Sequence, residues 1–440
     1  MSQVYVVSLG CDKNRVDGEV MIGSLRCAGY EVVDSPEKAL AIVVNTCGFI
    51  RDAVRESIDL ILELAEYKNT HDCVFLAVVG CMAERYKEEV IKDIPEIDAV
   101  MGVGDYEKIA ELVGSALHAS SSSNNALQNP RIAARKDAKQ PHVAYVKIAE
   151  GCNTNCTYCT IPSIRGPYKS RPMDEIVSEC KKLVGSGVKE LILVAQDTAL
   201  YGQDIYGTKK LPELLCEISL TGAKWLRLMY VYPEHITPKL IIAIAEIDNV
   251  CKYIDMPLQH SEDKILKAMG RGLGKYELTN LIRVMRESIP NLFIRTTLMV
   301  GFPGETDEDF GNLCDFAEHI CFDRMGVFPY SREDGTPAAT MKPQVKESVK
   351  KARYKKLMQL QQKIHFKKQK ALVGQVVEVI TDDLIPDEGL YVGRPYFDAP
   401  ETDSVMYFSS NTPLLAGDFC QVLVTASENY DLRGKKHEPS

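Results

Sequence analysis

The sequence predicts an α/β protein built from parallel sheets and followed by a small antiparallel β-barrel. Short β-branched runs alternate with helical patterns in the first 117 residues and again from residue 142. From residue 372, short β signals alternate with Gly, Pro and Asp turns instead. At 440 residues the chain is too long for one ordinary core. We therefore expect domains at 1–117, 142–371 and 372–438, with a polar linker at 118–141.

The first unit contains three buried-strand candidates, and each ends at a cysteine. The strands 4–10, 41–46 and 75–80 precede Cys11, Cys47 and Cys81, and helical patterns follow at 16–28, 52–67 and 83–91. This alternation predicts a doubly wound parallel sheet with right-handed crossovers. The three cysteines would then lie beyond the carboxyl ends of strands, where such folds bind ligands. Three buried core cysteines are the alternative, but the repeated placement favours a shared site.

A second cysteine triad follows the apolar stretch 143–148. Cys152, Cys156 and Cys159 lie within eight residues, and the next cysteine is Cys180. A ferredoxin-type cube takes four thiolates, so three would leave one iron open for a small molecule. A zinc site is the alternative, although structural zinc usually takes two separated ligand pairs. The other cysteines lie in or beside periodic segments and are predicted core residues: Cys27, Cys73, Cys180, Cys216, Cys251, Cys314, Cys321 and Cys420.

The middle unit carries five further strand signals with helices between them. The strands are 191–195, 225–229, 253–256, 293–300 and 325–328, and the helices include 173–185, 239–246 and 276–288. With the strand before Cys152 this makes about six βα units, too few for an eight-stranded barrel. Gly301 and Gly304 follow the strand 293–300, and we expect a turn there that lets the backbone approach a ligand.

The cysteine content and the distribution of apolar residues indicate the cellular compartment. Fourteen cysteines could indicate a disulfide framework, but the chain starts directly with a strand and shows no basic-then-apolar signal segment. In a reducing compartment such cysteines are better explained as metal ligands or core residues. No apolar run approaches the roughly 20 residues that span a bilayer. We therefore expect a soluble, cytoplasmic protein with no membrane partner.

The motifs around both triads resemble those of a known enzyme family. The spacing of Cys152, Cys156 and Cys159, with Tyr158 before the last cysteine, resembles the radical S-adenosylmethionine (SAM) superfamily. Together with the motifs at 10–14, 45–50 and 78–81, it resembles the methylthiotransferases over nearly the whole chain. The resemblance implies an open (βα)6 partial barrel in the centre and a TRAM domain at the end. It also implies one [4Fe-4S] cluster on each triad.

The resemblance further implies a radical reaction. In this family the cluster of the second triad binds SAM and, when reduced, splits it into methionine and a 5′-deoxyadenosyl radical. The cluster of the first triad takes part in sulfur insertion, so an electron donor and a sulfur donor are implied partners. By position, Tyr158, Gln196 and Asp197 match residues near SAM. The loops 165–171 and 330–337 look like family loops with either substrate or packing roles. No catalytic side chain is assigned.

Two substrate branches are known in this family, one acting on transfer RNA adenosine and one on an aspartate of small-subunit ribosomal protein S-twelve. Residues 372–431 hold eleven acidic residues against one basic residue, Arg394, a balance that disfavours RNA and suits a lysine-rich protein. The motifs at 8–14, 149–152 and 398–401 resemble the aspartate branch, although Asp12 stands where Pro is usual. We therefore expect S-twelve as the substrate and no direct tRNA substrate.

Two alternatives remain open. The segment 344–370 is strongly basic, through Lys350, Lys351, Arg353, Lys355, Lys356, Lys367, Lys368 and Lys370. It could contact RNA on the ribosome, or it could face the acidic barrel or solvent, and we favour the last two. The other alternative is a non-catalytic metalloprotein that docks on ribosomes through its last domain.

Overall fold

A computed structural model describes residues 2–117, 130–134 and 140–438. Most of the predicted linker, 118–129 and 135–139, lies outside these ranges. Within them, no helix is both long enough and apolar enough to span a membrane.

The N-terminal unit is a five-stranded parallel sheet with the strand order β2-β1-β3-β4-β5. Its strands are β1 Gln3–Ser8, β2 Glu31–Val33, β3 Ala41–Thr46, β4 Phe75–Gly80 and β5 Ala99–Met101. Its helices are α1 Asp12–Cys27, α2 Arg51–Ala65, α3 Tyr67–Thr70, α4 Cys81–Arg85, α5 Lys87–Asp93 and α6 Ile109–Ala116. The three predicted strands form the centre, and the two unpredicted ones are short edges. A separate apolar core lies on each face, as expected for a doubly wound sheet.

The described part of the predicted linker packs against the first helix. Residues 130–134 include helix α7, Pro130–Ala133. Arg26 of α1 donates hydrogen bonds to the carbonyl oxygens of Ala133 and Ala134, at 3.0 and 2.8 Å. Gly23 leaves room for this contact, because a Cβ there would lie 1.7 Å from the carbonyl oxygen of Pro130.

The central unit is an open sheet of six parallel strands in the order β13-β12-β11-β10-β9-β6. Its strands are β6 Val143–Lys147, β9 Glu190–Val194, β10 Trp225–Leu228, β11 Val250–Asp255, β12 Phe293–Val300 and β13 Arg324–Pro329, and Ala149–Glu150 (β7) pairs with Lys169–Ser170 (β8). Its helices are α8 Ile161–Arg165, α9 Met173–Gly185, α10 Gln203–Tyr206, α11 Leu211–Ser219, α12 Pro238–Glu246, α13 Asp263–Met269, α14 Lys275–Ser288, α15 Asp307–Ile320 and α16 Glu347–Leu372. The open (βα)6 partial barrel is therefore confirmed.

The last unit is a closed five-stranded barrel in the order β14-β15-β16-β18-β17. Its strands are β14 Val376–Ile385, β15 Leu390–Pro395, β16 Met406–Ser409, β17 Phe419–Glu428 and β18 Asp431–Lys436. The small barrel was predicted as antiparallel. One of its strand pairs differs, because β16 and β18 pair in parallel. The β signals predicted at 376–380, 390–392, 405–408 and 421–425 correspond to the first four strands, whereas β18 was missed because its polar sequence lacks an apolar alternation.

This barrel docks on the inner face of the central sheet, and its acidic residues form much of the contact. Glu190 of β9 lies 3.0 Å from Arg394 and 2.7 Å from Arg227. Several of the eleven acidic residues bond to the other two units in the same way: Glu378 to Lys224, Asp382 to His142, Asp398 to Arg324, Glu401 to Arg15 and Asp403 to Arg295. Part of the predicted negative surface is therefore an internal interface.

The basic helix α16 is also partly internal. Lys350 and Arg353 are buried, and Arg353 pairs with Glu305 at 2.8 Å. Glu305 in turn accepts a hydrogen bond from the backbone N–H of Gly301 at 2.6 Å. A Cβ on Gly301 would lie 2.3 Å from the Lys350 side chain. This glycine therefore makes room for a lysine of α16, which differs from the expected close approach of a ligand.

Candidate active site

The three cysteines of the first triad come together at the carboxyl edge of the N-terminal sheet. Cys11 precedes α1, Cys47 follows β3, and Cys81 is the first residue of α4. Their loops touch, because a Cβ on Gly10 would lie 2.8 Å from the Cβ of Cys47, and one on Gly48 would lie 2.8 Å from the Cys81 carbonyl carbon. The loops that carry the three cysteines thus meet in the fold despite their wide separation in sequence.

Asn14 fastens these loops together. Its Nδ2 donates hydrogen bonds to the carbonyl oxygens of Leu9 and Thr46, at 2.8 and 2.9 Å. Asn45, near the end of β3, donates a hydrogen bond from its Nδ2 to the carbonyl oxygen of Asn14 at 2.8 Å. Asn14 is 1% exposed and Asn45 is fully buried, and buried bonds of this kind hold loops in one position.

The thiols of the first triad influence one another. Burial raises the pKa of the Cys81 thiol to about 11; the guanidinium of Arg165 opposes that rise, and Cys11 and Cys47 add to it. Burial also raises the pKa of Cys47. Adjacent thiolates repel each other in a buried site, so a cationic metal centre would stabilise the deprotonated forms that bind it.

The second triad occupies the loop between β7 and α8. Backbone N–H groups of Thr154 and Ile161 donate to the sulfur atoms of Cys152 and Cys159, each at 3.4 Å. Cys156 is 6% exposed and its sulfur lies 3.1 Å from the Tyr232 hydroxyl. Burial raises the pKa of Cys159 to about 12, and the neighbouring thiols add to the rise.

A buried ion-pair network joins the two triads. Nη2 of Arg165, the last residue of α8, lies 3.3 Å from the Cys81 sulfur and donates to Asn14 Oδ1 at 2.8 Å. Arg165 also pairs with Asp17 and with Glu150, each at 3.0 Å. Lys147 completes the network at 2.5 Å from both carboxylates. Arg165 thus fixes the second cysteine loop directly against the first triad.

A second contact joins the central unit to the loops of the first triad through the segment 330–337. Glu333, which is 3% exposed through its side chain, pairs with Arg85 of α4 at 3.0 Å. Its other oxygen accepts a hydrogen bond from the backbone N–H of Arg51 at 3.0 Å, while Arg85 donates to the carbonyl oxygen of Gly48 at 2.9 Å. The segment 330–337 therefore has a docking role between the units.

Of the predicted SAM contacts, Gln196 is the best placed. Its Nε2 donates to Glu150 Oε1 at 2.7 Å, while its own Oε1 is buried and has no hydrogen-bond partner among the described residues. Asp197 is engaged, since one oxygen pairs with His235 and the other accepts from the backbone N–H of Ala199 at 3.0 Å. Asp197 therefore holds the loop that follows β9 in place. The ring of Tyr158 packs edge-on against Phe302.

The donor sets fit iron–sulfur cubes better than single metal ions. Among the described residues, no three His, Cys, Asp or Glu side chains come close enough together to hold one ion. N–H groups pointing at cysteine sulfurs are a feature of iron–sulfur sites, and each triad leaves one position of a four-iron cube free. Ligation by the six cysteines stays a prediction.

Sequence reasoning missed the residues around the triads. Lys13, Asn14 and Asp17 are buried on the face of α1 that also buries Val16 and Met21. Charged residues repeating with the apolar stripe of a helix were the available signal, because lone charges are rarely buried without a function or a partner. Of the predicted core cysteines, Cys73, Cys180, Cys251 and Cys420 are buried, whereas Cys27, Cys314 and Cys321 are half-buried. The core prediction for Cys216 was wrong, since this residue is exposed on α11.

Comparisons with known proteins agree with this architecture. Residues 3–102 match the family described as "Uncharacterized protein family UPF0004", 146–317 match the radical SAM superfamily, and 373–436 match the TRAM domain. Among solved structures, the radical SAM methyltransferase TsrM from Kitasatospora setae aligns with a TM-score of 0.55 at 16% identity, covering 77% of each chain. At that identity the likeness concerns the fold.

Curated relatives match almost the whole chain. A protein of Acetivibrio thermocellus is 46% identical and covers 98% of both chains. One of Lachnoclostridium phytofermentans is 44% identical, covering 98% of this chain and 99% of the relative. One of Thermoanaerobacter sp. is 45% identical, covering 99% and 100%. Each of the three is named "Ribosomal protein uS12 methylthiotransferase RimO".

Proposed function

The chain belongs to the RimO family of ribosomal protein uS12 methylthiotransferases, and we propose that it adds a methylthio group to the β-carbon of one aspartate in that protein. It is a radical SAM enzyme, a class that uses SAM and a [4Fe-4S] cluster. We further propose that it holds two such clusters, one on Cys152, Cys156 and Cys159 and one on the first triad.

One observation carries the proposal of two clusters. The loops of the two triads meet, with Arg165 lying six residues after Cys159 and 3.3 Å from the sulfur of Cys81. A methylthiolation needs hydrogen removal and sulfur delivery at the same carbon. Two incomplete thiolate sets that face one contact region supply a location for each half-reaction.

The roles of the chain's own residues follow from their contacts. A [4Fe-4S] cluster held by Cys152, Cys156 and Cys159 would supply the one-electron chemistry that lets SAM remove hydrogen from a carbon that no side-chain base could deprotonate. The unpartnered Oε1 of Gln196 would accept a hydrogen bond from the SAM ammonium group. Arg165 and Asn14 hold the loops of the two triads against each other.

The proposed partners follow from the reaction. Splitting SAM consumes an electron, and the inserted sulfur must be replaced, so an electron donor and a sulfur donor are required. We place the reaction in the cytoplasm because the substrate is a ribosomal protein. Transfer RNA is not the expected substrate.

The direct test is anaerobic incubation of the reconstituted enzyme with SAM, a reductant, a sulfide source and uS12. Mass spectrometry should find one methylthio group on a single aspartate. Cys152→Ala should abolish both 5′-deoxyadenosine release and product, whereas Cys11→Ala should abolish methylthiolation and leave SAM cleavage. Cys314→Ala, a cysteine packed against the outer core, is the matched control and should keep full activity.

The outcomes separate the competing functions. A methylthiolated adenosine in tRNA beside an unmodified uS12 would move the chain to the other branch. Absence of 5′-deoxyadenosine under all conditions would favour the non-catalytic alternative.

A further inference from the structure

Lys13 is a buried cation with no carboxylate at ion-pair distance among the residues that the structure describes. It lies in the first turn of α1, two residues after Cys11, and is 8% exposed. Its ammonium group forms no hydrogen bond or ion pair with any residue that the structure describes, and it lies 2.9 Å from the centroid of the Tyr230 ring. A cation–π contact replaces only part of the hydration that a buried ammonium group loses. Its position is therefore prepared for an anion.

The neighbouring cations differ from Lys13 because each has a carboxylate. Arg165 and Lys147 share Asp17 and Glu150. Arg295 of β12 pairs with Asp255 at 3.0 Å and with Asp403 at 3.4 Å. The negative charges of Asp12 and Asp255 act on Lys13 from beyond ion-pair distance. Both carboxylates are hydrogen-bonded to Tyr230, since Asp12 accepts from the Tyr230 hydroxyl at 2.9 Å and Asp255 accepts from the Tyr230 backbone N–H at 3.2 Å.

Tyr230, whose ring lies under Lys13, has a strained backbone conformation. Tyr230 follows β10 at the carboxyl end of the central sheet and has φ +58°. An aromatic residue rarely adopts a positive φ, and such strain persists where surrounding contacts enforce it, commonly at functional sites. Its hydroxyl and backbone N–H are both fixed by carboxylates. The fold thus positions this ring against the lysine of another unit.

Short stretches of chain connect the Lys13–Tyr230 contact to both halves of the proposed chemistry. Cys11 of the first triad is two residues away, and Tyr232, two residues after Tyr230, contacts the sulfur of Cys156 in the second triad. We propose that Lys13 binds the side-chain carboxylate of the target aspartate. This inference rests on the proposed function. The β-carbon of aspartate is bonded directly to that carboxylate, so fixing one fixes the other between the triads.

The experiment measures how the enzyme distinguishes a carboxylate from an amide. The holoenzyme is titrated with uS12 that carries either the target aspartate or asparagine at that position, and both dissociation constants are measured. The wild type should bind the aspartate form about 10- to 100-fold more tightly, the range of one desolvated charge-assisted hydrogen bond. Lys13→Met should bind both forms equally, and Lys13→Arg should retain part of the preference.

Controls separate binding from folding. A purely structural lysine would weaken both forms alike and leave their ratio unchanged. Iron content verifies that each variant is loaded. Tyr230→Leu, which removes the ring under Lys13 together with the hydroxyl that donates to Asp12, should also reduce the preference for aspartate. If Lys13→Met and Tyr230→Leu both leave the ratio at its wild-type value, the proposal is wrong.

A further arm identifies the source of the carboxylate. SAM carries a carboxylate too, so its dissociation constant is measured for the same variants and should not change. Loss of SAM affinity with an intact ratio would assign Lys13 to SAM and overturn the proposal. A wild-type enzyme that neither binds nor modifies uS12 would instead refute the proposed function itself.

Discussion

Glu190→Gln is expected to loosen the C-terminal barrel from the central sheet. The Glu190 carboxylate is fully buried between Arg227 and Arg394, at 2.7 and 3.0 Å. Arg394 would keep Asp382, at 2.7 Å, but Arg227 would retain no carboxylate partner among the described residues. Leaving a buried charge uncompensated typically costs about 3–5 kcal/mol. Because one arginine keeps its partner, we expect about 3 kcal/mol.

The single tryptophan reports on this contact. Trp225 is 4% exposed, and its ring packs edge-on against Phe419 of the barrel with 4.9 Å between centroids. Its fluorescence in a urea titration should therefore follow separation of the barrel from the sheet. At an m-value of about 2 kcal/mol/M, the midpoint of Glu190→Gln should fall by roughly 1.5 M.

An exposed interdomain pair provides the matched control. Glu401 lies 2.9 Å from Arg15 but its side chain is 60% exposed, so Glu401→Gln should cost less than about 1 kcal/mol. If Glu190→Gln shifts the tryptophan transition no more than Glu401→Gln does, the reasoning about the buried carboxylate is refuted.

Three further predictions concern the same interface and the candidate site. Burial raises the pKa of Asp382, but a hydrogen-bonded histidine and an arginine outweigh it and lower the pKa below its ordinary value, so its stabilisation is complete above about pH 4 and is lost on further acidification. The urea concentration at the unfolding midpoint should therefore decrease when the pH is lowered below about 4, and Asp382→Asn should make this decrease smaller. An equal decrease in the wild type and in Asp382→Asn would contradict the prediction. Gln196→Leu should raise the dissociation constant of SAM about tenfold in equilibrium dialysis, as loss of one hydrogen bond to a charged group predicts, and an unchanged constant would remove this contact. Gly10→Ala should lower the iron bound by the first triad, because its Cβ would lie 2.8 Å from that of Cys47, whereas Gly29→Ala has φ +90° with open space around it and should not; equal iron contents would show that the clash is harmless.

Much of the fold could be predicted because buried parallel strands are continuous apolar runs. The six strands of the central sheet lie where their hydrophobic patterns put them, and the helix predicted at 173–185 has those bounds. The short edge strands Glu31–Val33 and Ala99–Met101 were missed, since three residues give no periodicity. The parallel closure of the small barrel depends on pairing between distant strands, which no local pattern encodes.

The site was predictable in its cysteines but not in what surrounds them. Cysteines at strand ends have a position that topology fixes, whereas Arg165 and Asp17 are 148 residues apart in sequence and become partners only in the folded chain. The acidic residues of 372–431 are likewise not one exposed surface, because Asp398 is 1% exposed and bound to Arg324.

The central claim is that two separate clusters lie on the two triads. Iron and sulfide are counted after anaerobic reconstitution of the wild type and of two triple variants, with Cys11, Cys47 and Cys81 or with Cys152, Cys156 and Cys159 replaced by alanine. The wild type should hold about eight irons per chain and each variant about four, as two independent four-iron cubes require. About four irons in the wild type, with no loss when the first triad is replaced, would contradict the account.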